Sequence, residues 1–338
     1  MKSFGLDLPD RLRLANLPTP IRELHGLSRQ LPVRVFVKRD DLTGSANSGN
    51  KIRKLEFVLK EAMDQGAHTI VTAGAMQSNH CRATAVACRQ VGLDPYLILR
   101  RNIEPEPTGN LFLDLLMGAR TRMVEPREYA ERLPEIAGEI VEEENAAGRK
   151  AVFVPVGAST STGCLGYLCC ASEIADWERD TGVSFDRIYF AAGSGGTSAG
   201  LLLGKAAFGL RAALRGVNVG EPHAEFVERI LAIAREAVSR FGTGDWTPEQ
   251  PEVVEGYYGE GYAHADESVT SCIRRLARSD GLVLDPVYTG KAMLALVEEE
   301  KRMSPGNVLF IHTGGIFGLL GARPDLLLGD SIEALRRG

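Results

Sequence analysis

No apolar run in these 338 residues approaches the roughly 20 needed to span a bilayer, and residues 1–10 lack the apolar centre of a signal peptide. Neither a membrane protein nor a secreted one is expected, and the cytoplasm is. Excess positive charge is also missing: 39 Lys and Arg face 44 Asp and Glu, for a net charge of -5. That balance gives no electrostatic reason to expect nucleic acid or an anionic membrane as partner. The six cysteines contain no C-x-x-C pair, and most sit among apolar neighbours, as in Ala85-Val86-Ala87-Cys88. They are expected as reduced core thiols, Cys81 included, rather than as a disulfide framework. There is no His-Glu-x-x-His zinc motif, no internal repeat and no low-complexity segment. His264-Ala265-Asp266-Glu267 is better read as Asp and Glu opening a helix over 268–278 than as a metal corner, so no metal is expected.

What is present is an ordinary globular composition, 44% hydrophobic and 25% charged, in a chain long enough for two domains or one large α/β unit. Short β-branched runs at 69–72, 95–99, 151–154, 187–190 and 308–311 alternate with segments of helical periodicity. Over 51–63, Ile52, Leu55, Val58, Leu59 and Ala62 fall at spacings of three and four, which predicts an amphipathic helix. Such alternation implies an α/β fold with parallel sheets under helices, and ligands at the carboxyl ends of the strands. Turn-rich stretches at 43–50, 157–163 and 241–250 are candidate linkers or exposed loops, the first two bracketing a middle α/β unit.

Several segments at such strand ends carry chemistry. Asn50 is a plausible N-cap, which puts Lys51 first in its helix; there the helix dipole and the Lys54 ammonium would favour a neutral amine able to condense with an aldehyde. Gly193-Ser194-Gly195-Gly196-Thr197 follows the apolar strand 188–191 and leads into a helix at 201–203. Glycines let successive N–H groups converge on an anion, with the Ser194 and Thr197 hydroxyls as further donors, so phosphate is the better reading and a plain glycine turn the competing one. A Walker A loop is excluded by Ala at 199 and 206, and a dinucleotide fingerprint by Ser198. A lysine at a helix start together with a phosphate loop is what pyridoxal phosphate requires. Gln77-Ser78-Asn79-His80, between a strand and a helix at 82–91, suits a substrate carboxylate or simply caps that helix. Asp285-Pro286-Val287-Tyr288-Thr289-Gly290-Lys291 and His312-Thr313-Gly314-Gly315 follow short apolar strands, with Tyr288 as an acid or base and Thr313 as a partner for a ring nitrogen.

These segments, with Leu17-Pro18-Thr19-Pro20 and Lys38-Arg39-Asp40-Asp41, make seven ordered motifs across nearly the whole chain. In that order they resemble the D-cysteine desulfhydrase and 1-aminocyclopropane-1-carboxylate deaminase family of fold type II pyridoxal phosphate enzymes. The resemblance implies a fold like the tryptophan synthase β chain: two open, mostly parallel α/β domains with the cofactor in the cleft. A small domain, 55–163, would be inserted in a large cofactor-binding one formed by 1–54 and 164–338. Homodimers are usual in the family.

By the same resemblance Lys51 is the Schiff-base lysine, with Asn50 beside it, and Gly193, Ser194, Gly195, Gly196 and Thr197 hold the cofactor phosphate. Asn79 would meet the ring 3′-oxygen, and Gln77, Ser78, Asn79 and His80 the substrate carboxylate. Tyr262 and Tyr288 look like the family's two active-site tyrosines. Thr289 and Thr313 stand where the deaminases carry Glu and Leu near the pyridine nitrogen, which is the desulfhydrase pattern. The implied activity is a carbon-sulfur lyase acting on a small D-amino acid, D-cysteine first. The cyclopropane acid, cysteate and other β-substituted amino acids are the alternatives. Ala75, Thr160 and Ala263-His264-Ala265-Asp266 depart from the family's usual residues at positions that border the substrate.

Overall fold

The computed structural model describes residues 4–101, 106–220, 222–259, 265–321 and 327–328. Two sheets organise them. Strands Arg120–Val124, Asp94–Arg100, Thr69–Ala75 and Ala151–Val154 lie side by side, all parallel. The larger sheet runs Glu252–Val254, Ala213–Asn218, Arg187–Ala192, Asn307–Ile311, Arg34–Lys38 and Ile21–Glu23, parallel except for its last pair. The smaller sheet is thus built entirely from residues 69–154. The parallel α/β architecture is the one the alternation of patterns predicts.

Alternation within single strands shows how the large sheet buries both faces. Val308 and Phe310 point into one core with Val35, Val37 and Tyr189, whereas Leu309 and Ile311 point into another with Phe36, Ile188 and Phe190. Strands at 69, 94, 187 and 307 run one to three residues past their β-branched runs. Small residues such as Ala191 and Ala192 have little strand preference of their own, and pairing with Val217 and Asn218 carries them along.

The helix Asn50–Asp64 sets the predicted stripe of Ile52, Leu55, Val58, Leu59 and Ala62 against Ile70 and Val154 of the smaller sheet. Its opposite face is not solvated, which the pattern does not foretell. Arg53, Lys54 and Glu56 are buried there: the helix Ser161–Thr181 lies so close that a Cβ on Gly166 would fall 2.3 Å from the Arg53 carbonyl oxygen, and Glu56 accepts from Arg11 and from the Leu14 and Ala15 N–H groups. Arg53 donates to both carboxylate oxygens of Asp40, at 2.9 and 2.8 Å, and of Glu173, at 2.8 and 2.9 Å. Tyr167 and Thr19 hydroxyls donate to Asp40, and Lys38 donates to Glu173 at 2.6 Å.

All six cysteines are free, and only Cys169 is more than marginally exposed. Burial pushes the Cys164 thiol up to about 12 and raises those of Cys81, Cys88 and Cys170 further, as expected of inert core thiols.

Burial opposes the charges of Asp40 and Glu173, yet Arg53 and Lys38 hold both carboxyls below their usual range. Carboxyls depressed in the folded state contribute stability that is complete above their unfolded value, about 4, and lost as pH falls through the folded value. Replacing Arg53 by Met takes the bonded cation from the buried Asp40 carboxylate and leaves Glu173 with Lys38 alone. Urea unfolding at neutral pH should show a loss of about 3–5 kcal/mol, and the gap to wild type should narrow below about pH 4. A loss under about 1 kcal/mol would mean that the cluster is dispensable.

Candidate active site

Carboxyl ends of both sheets face one another around the start of the Lys51 helix. Gly49 has φ 103°, and a Cβ there would fall 3.0 Å from the Thr313 carbonyl, so only glycine lets the two loops meet. The Asn50 N–H donates to that carbonyl at 3.0 Å. The helix starts one residue earlier than the sequence suggests: Gly49 occupies the cap position, and Asn50 is already helical. Its amide is therefore free for other work. Asn50 Oδ1 accepts from Lys51 Nζ at 2.9 Å, and Nδ2 donates to Thr197 Oγ1 at 3.3 Å, joining the lysine to the glycine loop.

Burial pushes the Lys51 amine down to about 8, the Arg82 guanidinium adds to this, and Asp285 opposes it. The low value is the expected one, but its cause differs from expectation. Lys54 is not the responsible cation, because its own amine is driven well below the usual range, first by burial and then by Lys51.

Lys54 instead serves the glycine loop. Its buried Nζ reaches Ser159 Oγ and the Gly157 carbonyl, each at 3.3 Å, and a Cβ on Gly196 would lie 3.0 Å from it. Ser159 Oγ also pairs with Ser194 Oγ at 2.8 Å and accepts from the Gly196 N–H at 3.2 Å. The helix begins at Gly196 rather than near 201, which puts Gly196 and Thr197 in its first turn with their N–H groups unspent by the helix. A helix N-terminus, two hydroxyls and a buried amine bonded only to neutral oxygens make a donor set that fits a phosphate group. Ser159 escapes sequence reasoning because the turn-rich stretch 157–163 reads as a linker.

Ser78 does cap the next helix, Asn79–Gln90, its Oγ accepting from the Cys81 N–H at 3.2 Å. Its own hydrogen stays available, as do the Asn79 and His80 N–H groups at the helix start. Gln77 is occupied: Oε1 accepts from the Asn110 N–H at 2.9 Å, and Nε2 donates to the Thr108 carbonyl at 3.0 Å. His80 lies inside the helix with its ring buried, Nε2 2.8 Å from Thr72 Oγ1. Since Thr72 donates to the Val154 carbonyl, His80 must be the donor in that pair. Burial, then Lys51 and Lys54, hold the imidazole neutral.

Asp285 organises the segment that follows. It accepts from the N–H groups of Val287, Tyr288 and Thr289, each at 2.9 Å, and from Thr289 Oγ1 at 2.6 Å. The Thr289 hydroxyl hydrogen is committed there, and its oxygen also accepts from the Asp285 N–H. Thr313 is buried with its carbonyl on Asn50. Tyr288 is half-buried, its ring edge 3.9 Å from where a Gly193 Cβ would lie. Tyr262, Ala263 and His264 lie outside the described residues. Asp266 caps the helix Glu267–Asp280 through Val269, as read, and Thr160 caps Ser161–Thr181 through Gly163. Among the described residues no group of His, Cys, Asp and Glu could hold a metal.

A hydrolase elbow is not expected from the sequence, yet Gly196-Thr197-Ser198-Ala199-Gly200 has the letters of its Gly-x-Ser-x-Gly pattern without its geometry. Ser198 lies inside the helix, buried, with no partner for Oγ, rather than exposed on the turn before it.

Comparison with known proteins agrees with this chemistry. A family model described as pyridoxal-phosphate dependent enzyme matches residues 12–314. The chain is 42% identical over 313 residues to a Thermotoga maritima protein whose name assigns it provisionally to 1-aminocyclopropane-1-carboxylate deaminase, covering 91% of this chain and 97% of that one. It is 37% identical to the Arabidopsis thaliana bifunctional D-cysteine desulfhydrase/1-aminocyclopropane-1-carboxylate deaminase, covering 90% and 78%. With the D-cysteine desulfhydrase of Serratia proteamaculans it shares 35%, covering 94% and 97%. A crystal structure described as that of the ACC deaminase homologue superposes with a TM-score of 0.86 at 38% identity, covering 96% of each chain. With these relatives matched over nearly its full length, the chain belongs to the pyridoxal-phosphate-dependent enzyme family, in the group of the D-cysteine desulfhydrases and 1-aminocyclopropane-1-carboxylate deaminases, and is a lyase of that group.

Proposed function

We propose that the enzyme catalyses α,β-elimination from a small D-amino acid, with D-cysteine losing hydrogen sulfide and the remaining enamine taking up water to give pyruvate and ammonia. The observation that carries this reading is the pair Thr289 and Thr313, where a deaminase pattern would have Glu and Leu. A threonine carries no carboxylate, so neither position offers one to a ring nitrogen, and the Thr289 hydrogen is already spent on Asp285. When bound, pyridoxal phosphate supplies an electron sink for charge developing at the substrate α-carbon. Lys51, neutral in about half the molecules near pH 8, takes the α-proton. Ser78 and the N–H groups of Asn79 and His80 hold the carboxylate, and Tyr288 protonates the departing sulfur. Lys54, Ser159, Ser194 and residues 193–197 hold the phosphate. The division into 55–163 against 1–54 and 164–338, a cytoplasmic location and a homodimer complete the proposal. The first is supported by the confinement of the smaller sheet to 69–154 and the homodimer by the family resemblance, while the location is carried over from the sequence reading.

The reading as a cyclopropane-acid deaminase is carried by the Thermotoga relative and the superposed crystal structure. Steady-state turnover of both enantiomers of cysteine, with chloroalanine, serine, cysteate and the cyclopropane acid, separates the two. D-cysteine should lead, and Thr289→Glu with Thr313→Leu should lower that activity and raise the other. Efficient wild-type turnover of the cyclopropane acid with none of D-cysteine would reverse the assignment.

For the cofactor, Lys51→Ala should abolish the visible absorbance band of the holoenzyme, whereas Lys54→Ala should keep it at saturating cofactor with affinity weakened about tenfold, the worth of one charged hydrogen bond. Gly195→Asp should weaken affinity too, by placing a carboxylate against phosphate. A Lys51→Ala protein that stays yellow would remove that residue from its role.

The Lys51 amine itself can be titrated in cofactor-stripped protein. Its modification by an amine reagent, followed by mass spectrometry, should rise through a midpoint near 8. Arg82→Gln deletes a cation that opposes the ammonium, so the midpoint should move upward. A midpoint that stays in place would assign the whole depression to burial.

A further inference from the structure

Asn110, the second residue of the helix Gly109–Leu116, is completely buried, and each of its polar side-chain atoms is used. Its Oδ1 accepts from Arg82 Nε at 3.2 Å, and its Nδ2 donates to the Gln77 carbonyl at 3.0 Å and to Asn79 Oδ1 at 3.1 Å. Arg82 is itself fixed, Nη1 donating to the carbonyls of Ala46 and Ser48 at 2.7 and 2.9 Å and its guanidinium lying 4.9 Å from the centre of the Phe317 ring.

This arrangement has a direction. A guanidinium offers donors only, so the atom of Asn110 that faces it has to be the oxygen. The Asn110 NH₂ is thereby aimed at Asn79, so the oxygen of Asn79 must face Asn110 and its own NH₂ must face away from it.

From this we infer that Asn110 is a positioning residue: it transmits the donor character of Arg82 to Asn79 and so fixes a hydrogen-bond donor, never an acceptor, against the 3′-oxygen of the bound cofactor. The inference rests on the placement of Asn79 at that oxygen, which the family resemblance implies. An amide free to rotate would spend part of its time presenting Oδ1, which repels an anionic ring oxygen. The approach of the helix is enforced by Gly109, at φ +54°, where a Cβ would come within 2.3 Å of the Phe317 carbonyl and 2.6 Å of Gln77 Oε1.

Asn110→Asp separates orientation from simple filling of space. A carboxylate still accepts from Arg82 but has no N–H for Asn79, so Asn79 must turn its own NH₂ inward and its oxygen to the cofactor. Equilibrium titration of the holoenzyme's visible band should show pyridoxal phosphate affinity reduced about tenfold or more, together with a displaced pH midpoint of that band. Asn79→Ala should do much the same, and the double variant should be no worse than Asn79→Ala alone, because the effect runs through that side chain. If Asn110→Asp does not fold, as judged by circular dichroism, Asn110→Ala takes its place in the cycle, with the same non-additivity expected. Additive losses, or a band and affinity at wild-type values in the Asn110 variant while Asn79→Ala is impaired, would overturn the inference. Wild-type behaviour of Asn79→Ala would instead bring down the placement of Asn79 at the cofactor, and the inference with it.

Discussion

The fold around the site depends on a buried cation, Arg53, bonded to two carboxylates that come from different parts of the chain. Asp40 follows a strand of the larger sheet, Glu173 sits on the helix Ser161–Thr181, and Arg53 is in the first turn after Lys51. Each partner is worth little without the others, since an unpaired charge at this depth costs several kcal/mol. Once all three are present the Lys51 helix cannot slide or rotate against the large sheet. Its amphipathic stripe binds the smaller sheet at the same time, so one helix holds both sheets in register across the site.

Such rigidity fits the requirements of the chemistry, which needs a neutral amine, an anion nest and fixed donors held at constant spacing. The close approach of Gly49 to Thr313 and Gly314 brings the end of the interior strand Asn307–Ile311 against the lysine loop. Asp285 does the same for Tyr288 and Thr289 by taking up four hydrogens that would otherwise move. Tight glycine contacts and a saturated carboxylate replace flexibility with position.

The architecture and the helix over 50–64 could be read from periodicity because their causes are local: alternating apolar residues on strands and spacings of three and four on helices. Lys51 and the 193–197 loop were legible for a similar reason, since a helix start and a run of glycines act through their own backbone. Ser159, Asn110 and Asp285 were not legible as site residues. Each works on a partner brought close by tertiary packing, and nothing in the neighbouring letters reports that partner. The depressed amine of Lys51 was anticipated with the wrong neighbour for the same reason. Helical spacing suggests Lys54, whereas packing supplies burial and Arg82.

Lys51, Lys54, Arg82 and His80 share a small volume, and their charges oppose one another. Burial lowers the amine of Lys51, with Arg82 contributing; burial and then Lys51 lower that of Lys54; burial, Lys51 and Lys54 lower the imidazole of His80. Hydrogen bonds in this group run to neutral oxygens, from Asn50, Gly157, Ser159, Thr72, Ala46, Ser48 and Asn110. A cluster of that kind gains little from a neutral ligand. A phosphate dianion held there as proposed would offset the burial that lowers Lys54 and favour its ammonium, whereas Lys51 contacts the loop only through Asn50 and its amine stays lowered by burial. On the proposed placement of the phosphate, a single anion would give two lysines one helical turn apart different charge states, one for binding and one for proton transfer.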